Sequence, residues 1–466
     1  MMNTPINTTG IASGATPGIT PVIDTISGLV ADDRVHHSVY SDPAIFDLEM
    51  DRVFGRAWLL LGHDSQIPGP GDYITTRMGR EPVIVTRHRD GAVHVLINRC
   101  PHRGAMVCHE AGGNARQFAC PYHGWVFDTD GALRSVPLPQ GYGANAPDKF
   151  AQKFAQLGLT HVARVQLYRG FIFASLAATG PTLAEHLGPI ATSFDDLVDR
   201  APEGGIEIAG GVFKHTYNGN WKLMLENHLD GVHPNYVHAS SVDAARGAAD
   251  DPAAQPGSER YAEISLRQML QNGAPEPVWE ALGIWATAWG HGYMGDYHSD
   301  SRLVAAMNHP VFADYRRRLE ARVGADEAKR ILEVSRFNSV VYPNVSFMSQ
   351  YRQLRIVHPL AVDRTVVYTY NIRLKGAPEQ MFRDTVAFSN VVNGTASWVL
   401  TDDLEVYERV QRGLTAAMPE WVMLARGSGG DVQEPDGFRR GATGTSEIFI
   451  RRQFEAWRNY MAQSWQ

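Results

Sequence analysis

The chain has 466 residues, too many for one compact core, so two domains or one domain with a large insertion are expected. Its 44% hydrophobic and 20% charged residues are those of a globular protein, with no apolar run of about 18 residues to cross a bilayer. A net charge of −7 without a dense Lys/Arg cluster argues against a nucleic-acid partner, and three cysteines cannot build a disulfide framework.

Residues 1–24, rich in Thr, Gly and Pro, have no basic region ahead of an apolar block. This speaks against a secretory signal and for a frayed tail on a cytoplasmic protein. Residues 38–60 place apolar side chains at helical spacing after Asp42-Pro43 and are expected to be a helix. From there to about 165 the sequence predicts short antiparallel hairpins, turning at Asp90-Gly91 and Asp130-Gly131, with the two Cys/His segments at hairpin tips. A capped helix is expected over 178–200, and then a second unit. In it, a helix begins near Leu223 and is broken by Pro234, between His233 and His238. Residues 239–262 have the composition of a mobile segment or lid. The runs 344–359 and 363–376 read as paired strands, 395–414 as a helix, 427–437 as a loop and 447–465 as an amphipathic helix.

Two of the cysteines carry the chemistry. Cys100 and His102 form a Cys-x-His pair, seventeen residues follow, and Cys120 and His123 form a Cys-x-x-His pair. A zinc finger normally pairs Cys with Cys and His with His; a mixed pair on each of two loops is the arrangement of a Rieske [2Fe–2S] centre. CPHRG at 100–104 and CPYHGW at 120–125 resemble the two cluster-binding loops of the Rieske family, which makes Cys100, His102, Cys120 and His123 the expected ligands. A structural zinc site is the competing reading. Gly104 and Gly124 are expected where the chain approaches the bridging sulfides closely. Cys108 has no cysteine partner in the second loop, where Tyr122 stands, so the resemblance is to the oxygenase branch and Cys108 reads as a small buried side chain.

An oxygenase also needs a place where dioxygen is activated. Two imidazoles and a carboxylate hold Fe(II) on one face and leave the other open. The segment 220–238 is similar to a motif of aromatic-ring-hydroxylating oxygenases, matching it at Asn220, Trp221, Lys222, Glu226, Asn227, Asp230, His233 and His238. Val232 departs from it, since many members have Tyr there. The resemblance implies His233 and His238 as iron ligands, with Asp403 as the carboxylate and Asp402 as the fallback. Asp230, one helical turn before His233, can orient that imidazole, and in the family this position bridges to the cluster of a neighbouring copy; Asn227 and Asp230 complete the catalytic set. His109, His228, His291 and His298 are read as packing, surface or substrate-contact residues.

The resemblance implies the catalytic (α) subunit of a Rieske non-haem iron oxygenase of α+β class. A β-rich Rieske domain (38–165) would sit beside a helix-grip catalytic domain with an antiparallel sheet (166–466), and an N-terminal extension (1–37) would pack on the latter. It further implies a [2Fe–2S] cluster, a mononuclear Fe(II), and electrons from NAD(P)H through a separate reductase, with or without a ferredoxin. The assembly would be a homotrimer or an α3β3 complex with a small β subunit. The substrate would be an aromatic compound, an acid above all, and Arg352 or Arg355 is a candidate anchor for its carboxylate. A monooxygenase or O-demethylase of the same superfamily would share every ligand, whereas a pure electron carrier would need only the cluster.

Overall fold

The computed structural model of the chain describes residues 26–142, 156–248, 269–295, 310–394, 397 and 399–462. Asp42 starts the first main helix, Pro43–Glu49: its carboxylate accepts the Ala44 N–H at 2.8 Å, and Pro43 fills the first helical position. The helix continues as one wide turn, Met50–Phe54, and stops there, short of the expected residue 60. Leu59–His63 is a strand instead, buried throughout. A continuous apolar run suits a covered strand as well as a helix, and its periodicity cannot separate the two.

The cluster lobe follows as antiparallel strands. A four-stranded sheet runs in the order Val93–Ile97, Glu81–Arg87, Asp72–Met78, Gly112–Asn114, and a three-stranded one in the order Gln117–Ala119, Val126–Asp128, Leu133–Ser135. The hairpins turn at Gly91 and Gly131, both at φ +87°. Side-chain alternation along Glu81–Arg87 sends Ile84 into the lobe's own core, with Phe118, Trp125 and Phe127, while Val83 and Val85 join the large core of the molecule. Arg164–Tyr168 and Phe171–Ser175 form a two-residue hairpin that pairs with Leu59–His63.

Beyond it, Thr182 and Glu185 cap the helix Leu183–Leu187 reciprocally, and a second helix covers Ala191–Asp199. A nine-stranded antiparallel sheet dominates the rest. Its order is Ile206–Tyr217, Arg364–Leu374, Gln353–Ala361, Val345–Met348, Arg336–Val341, Gly292–Gly295, Gly283–Ala286, Arg439–Arg440, Val432–Gln433. The hairpin expected near residue 360 is present, with Ala361 opposite Arg364. The run read as one strand from 344 is two, Val345–Met348 and Gln353–Ala361, separated by a turn in which Arg352 has φ +55°. The sheet grips the helix Trp221–His228, which lies against three of its strands. Asn220 caps that helix, and its side-chain amide also donates to the carbonyls of Tyr40 and Val362.

Under this helix lies a buried ion pair. Glu49 pairs with Lys222 and accepts the indole N–H groups of Trp221 (2.8 Å) and Trp457 (2.6 Å), which ties the N-terminal helix, the gripped helix and the C-terminal helix Ile448–Ala462 together. Residues 34–36 pair with 421–423, so the described part of the N-terminal extension lies on the C-terminal third of the chain. Of the expected lid, Ala239–Ala248 is a helix and the remainder lies outside the described residues, as does His298. The helix Glu379–Asn393 was not expected from the sequence; Leu400–Gly413 was. Among the described residues no helix is long and apolar enough to cross a membrane.

Candidate active site

The two Cys/His loops are built alike. In the first, Cys100 N–H donates to the Ala105 carbonyl (2.8 Å) and Gly104 N–H to the Cys100 carbonyl (2.9 Å). In the second, Cys120 N–H donates to the Trp125 carbonyl (2.7 Å) and Gly124 N–H to the Cys120 carbonyl (3.0 Å). Each loop closes on a glycine in the left-handed region, φ +76° at Gly104 and +67° at Gly124. Backbone handedness requires glycine at both positions; a Cβ at Gly104 would meet protein atoms no nearer than the Arg99 side chain at 3.5 Å, whereas one at Gly124 would also press on Pro137 at 3.1 Å. Only the second loop is a hairpin tip. The first connects Val93–Ile97 to Gly112–Asn114, the two edges of the four-stranded sheet, and so crosses over the lobe.

The loops set their expected donors in like pairs, thiol against thiol and imidazole against imidazole. Cys100 and Cys120 are buried, whereas His102 and His123 are half-buried at the tips with ring centroids 4.6 Å apart. Trp125 stacks on His102 at 4.9 Å. Burial pushes the Cys100 thiol up, partly opposed by the N–H groups of His102 and Arg103 that face its sulfur. Cys108 is buried and free. A residue the sequence reading missed, Asn98, holds the exit of the first loop: its amide donates to the Cys108 carbonyl (2.7 Å) and accepts the N–H groups of Val107 and Cys108.

The second group forms at a cavity of about 720 Å³, including its open mouth, beneath the gripped helix. That helix ends at His228, and Pro234 begins a new turn, Pro234–Val237, rather than breaking an old one. His233 and His238 stand at the two ends of this turn. Their Nε2 atoms lie 3.8 and 3.5 Å from Asp403 Oδ1, which comes from the first turn of the helix Leu400–Gly413. One donor atom from each of the three falls within 4.8 Å of the others, a group able to hold a metal ion. Asn227 Nδ2 donates to the same Asp403 oxygen at 3.1 Å and fixes it.

The outward nitrogens are held by carboxylates. Asp230 Oδ2 lies 3.6 Å from His233 Nδ1, an electrostatic contact longer than a hydrogen bond, and Asp402 Oδ2 lies 3.4 Å from His238 Nδ1. Asp402 therefore faces the far side of His238, while Asp403 faces the convergence. Burial would raise the Asp230 carboxyl, but His233 and the Val232 N–H hold it below the usual carboxylate range. Burial likewise works to lower His233, and Asp230 and Asp403 outweigh it, so its pKa is raised.

The Rieske [2Fe–2S] domain family matches residues 57–153, and the ring-hydroxylating α-subunit catalytic domain matches residues 207–463. Over 427 residues the chain is 35% identical to the toluate 1,2-dioxygenase α subunit of Pseudomonas putida, covering 89% of this chain and 87% of that one. The chain belongs to the ring-hydroxylating oxygenase α subunits. The 2-halobenzoate 1,2-dioxygenase large subunit of Burkholderia cepacia is 33% identical, with 90% of this chain and 86% of that protein covered. A solved structure of naphthalene 1,2-dioxygenase with indole in its active site superposes with a TM-score of 0.77 at 28% identity, covering 94% of each chain. The antiparallel sheet gripping a helix, with a β-rich lobe beside it, is the fold shared with that enzyme.

This α subunit is thus an oxidoreductase that uses a Rieske [2Fe–2S] cluster and a mononuclear iron. Its residues fit both groups. In the lobe the two buried thiols lie against each other and the two imidazoles against each other, and His102 Nδ1 is sealed from solvent with no partner among the described residues. Two imidazoles and one carboxylate converge at the cavity, the donor set of open-faced ferrous sites. Of the other histidines of this α subunit, His109 is exposed, while His291 accepts the Tyr342 N–H and donates to the His186 carbonyl at 2.7 Å. His228 lines the cavity and is bonded to Ser346, its pKa pushed well below normal by burial and by Arg355.

Proposed function

We propose that this protein is the catalytic subunit of a dioxygenase that adds both atoms of O₂ to the ring of an aromatic acid. The observation that carries the reading is the convergence of His233, His238 and Asp403 on one wall of a cavity whose lining includes Met, Phe, Trp and Val side chains. Relatives named for toluate and 2-halobenzoate support the substrate class.

When bound, the cluster supplies single electrons and the iron a site for dioxygen. We assign the cluster to Cys100, His102, Cys120 and His123, and the iron to His233, His238 and Asp403. The remaining residues orient these donors. Asn227 holds the Asp403 carboxylate, Asp402 holds the His238 ring, and Asp230 holds the His233 ring. Asp230 keeps about a third of its side chain exposed, which leaves it able to reach a cluster histidine of a neighbouring copy. This supports a head-to-tail trimer, with or without a small β subunit, fed by a separate reductase and its ferredoxin where one is used. We place the enzyme in the cytoplasm, where thiols stay reduced, and keep the division into extension (1–37), cluster domain (38–165) and catalytic domain (166–466).

The test is metal analysis with EPR of dithionite-reduced enzyme, followed by ¹⁸O₂ turnover of aromatic acids. About three irons per chain are expected, two in the cluster and one mononuclear. Both labelled atoms in a cis-dihydrodiol support the reading. One labelled atom, or loss of an O-methyl group, assigns the protein to the monooxygenases or demethylases; zinc, or two irons and no turnover, overturns the oxygenase assignment.

A further inference from the structure

Successive side chains of the strand Gln353–Ala361 face opposite ways. Leu354 and Ile356 enter one core, whereas Val357 packs in the core of the gripped helix and Arg355 points into the cavity that holds His233, His238 and Asp403. Of the two arginines in this stretch, Arg352 is spent on the protein: it donates to Thr385 Oγ1 (2.6 Å) and the Met381 carbonyl (3.3 Å). Arg355 is not. Only 5% of it is exposed, its Nη2 donates to Gln353 Oε1 at 3.0 Å, and its Nη1, sealed from solvent, has no hydrogen-bond partner among the described residues.

A guanidinium taken out of water without an anion is costly, and the cost is recovered only when a carboxylate or similar group meets it. None among the described residues does so. The charges that reach it are Asp403, already engaged by Asn227 and both histidines, and the Tyr407 phenol. On its other sides stand His215 and His228, both kept neutral by burial and by the arginine itself; His215 is pushed down to about 4. Arg355 is the one Lys or Arg among the described residues lining the cavity, next to a ring-sized apolar wall that includes Met224, Phe337, Met348 and Phe388.

We propose that Arg355 is the residue that selects acids: its partnerless Nη1 receives the carboxylate of the aromatic substrate, which places the ring between the apolar wall and the His233/His238/Asp403 face. This rests on the ring-hydroxylating reading and adds the group that discriminates an acid from a neutral arene. A planar guanidinium donates two parallel hydrogen bonds to a carboxylate, which fixes the orientation of the ring as well as its charge.

The experiment compares benzoate with its neutral isostere benzamide, using holoenzyme of verified iron content. It reads substrate-dependent O₂ uptake and, anaerobically, calorimetric binding. Arg355→Gln is expected to weaken benzoate binding about a hundredfold and to lower the benzoate-to-benzamide ratio of kcat/KM by a similar factor. Arg355→Lys, which keeps the charge without the fork, is expected to fall between; it also serves as the test if Arg355→Gln does not fold. An unchanged ratio in a folded, iron-replete variant overturns the anchor while leaving the dioxygenase intact. Wild-type enzyme that oxidises toluene but neither binds nor oxidises aromatic acids overturns the anchor and the acid substrate together. No uptake with either class overturns ring hydroxylation itself.

Discussion

The cluster lobe and the iron cavity solve the same problem, gathering Cys, His and Asp donors around a metal, by opposite means. In the lobe all four donors lie between residues 100 and 123, and each loop is closed by a hydrogen bond from its own glycine to its own cysteine. In the cavity, His233 and His238 sit on a single turn while Asp403 arrives from a helix beyond most of the nine-stranded sheet. A locally closed site depends on a few backbone bonds. A site assembled across the fold depends on everything that holds its elements apart and in register, which here includes the Glu49–Lys222 pair and the Asn220 cap.

If the two sites are as separate as this, each can be removed alone. Asp403→Ala is expected to abolish turnover and the mononuclear iron while the reduced-cluster EPR signal survives; Cys100→Ser should abolish turnover and the cluster signal while the mononuclear iron survives. Loss of both signals in either variant would break the comparison. Removing the cavity's scaffold should be nearly as severe: Lys222→Met leaves Glu49 buried and unpaired, an expected loss of about 3–5 kcal/mol in chemical denaturation. The double variant Lys222→Met with Glu49→Gln should recover much of it, and an equal loss in both would show that the pair is not what holds the helices.

The orienting carboxylates sharpen the contrast further, because among the described residues no Asp or Glu is paired with His102 or His123 as Asp230 and Asp402 are with the cavity's histidines. Asp402→Ala is expected to weaken iron binding about 10–100-fold without touching the cluster. Asp230→Asn should retain both metal centres and colour yet lose coupled turnover; wild-type rates would refute its bridging role.

The same division governs what could be read from the chain. The lobe's donors were legible because their geometry is local: CPHRG and CPYHGW carry ligand, turn and closing glycine within a few residues, and the Asp-Gly hairpins are equally local. At the cavity, His233 and His238 were legible as a pair, but the role of Pro234 was inverted, since spacing alone does not tell a proline that ends a helix from one that starts the next. Asp402 as the holder of His238 was invisible: adjacent acids on a helix differ only in where they point once the helix is docked. The inward direction of Arg355 was half legible, since alternation allowed one of Arg352 and Arg355 to face the site, and only the sheet register shows which. Leu59–His63 was misread because covered strands and buried helices share one apolar signature.

The smallest expected effect is a pH dependence confined to the cavity's scaffold. Glu226, on the gripped helix, accepts the Tyr40 hydroxyl at 3.0 Å and the Gln453 amide at 3.1 Å. Burial nevertheless pushes its carboxyl up from 4.5 to about 7, the hydrogen bonds and Lys222 only partly opposing it. Between those two pH values the folded chain keeps a proton that the unfolded chain has released. Folding stability from this group therefore falls as pH rises through the interval and levels off above it. Glu226→Gln, which keeps an acceptor for Tyr40, removes the charge and its penalty. It should leave stability near pH 4.5 unchanged and raise it by on the order of 1–3 kcal/mol at pH 8. No gain at pH 8, or a loss there, would mean that Glu226 is ionised in the folded protein, paired with Lys222 and Tyr40. The scaffold under the iron cavity would then be a charge network rather than one buried pair beside a neutral acid.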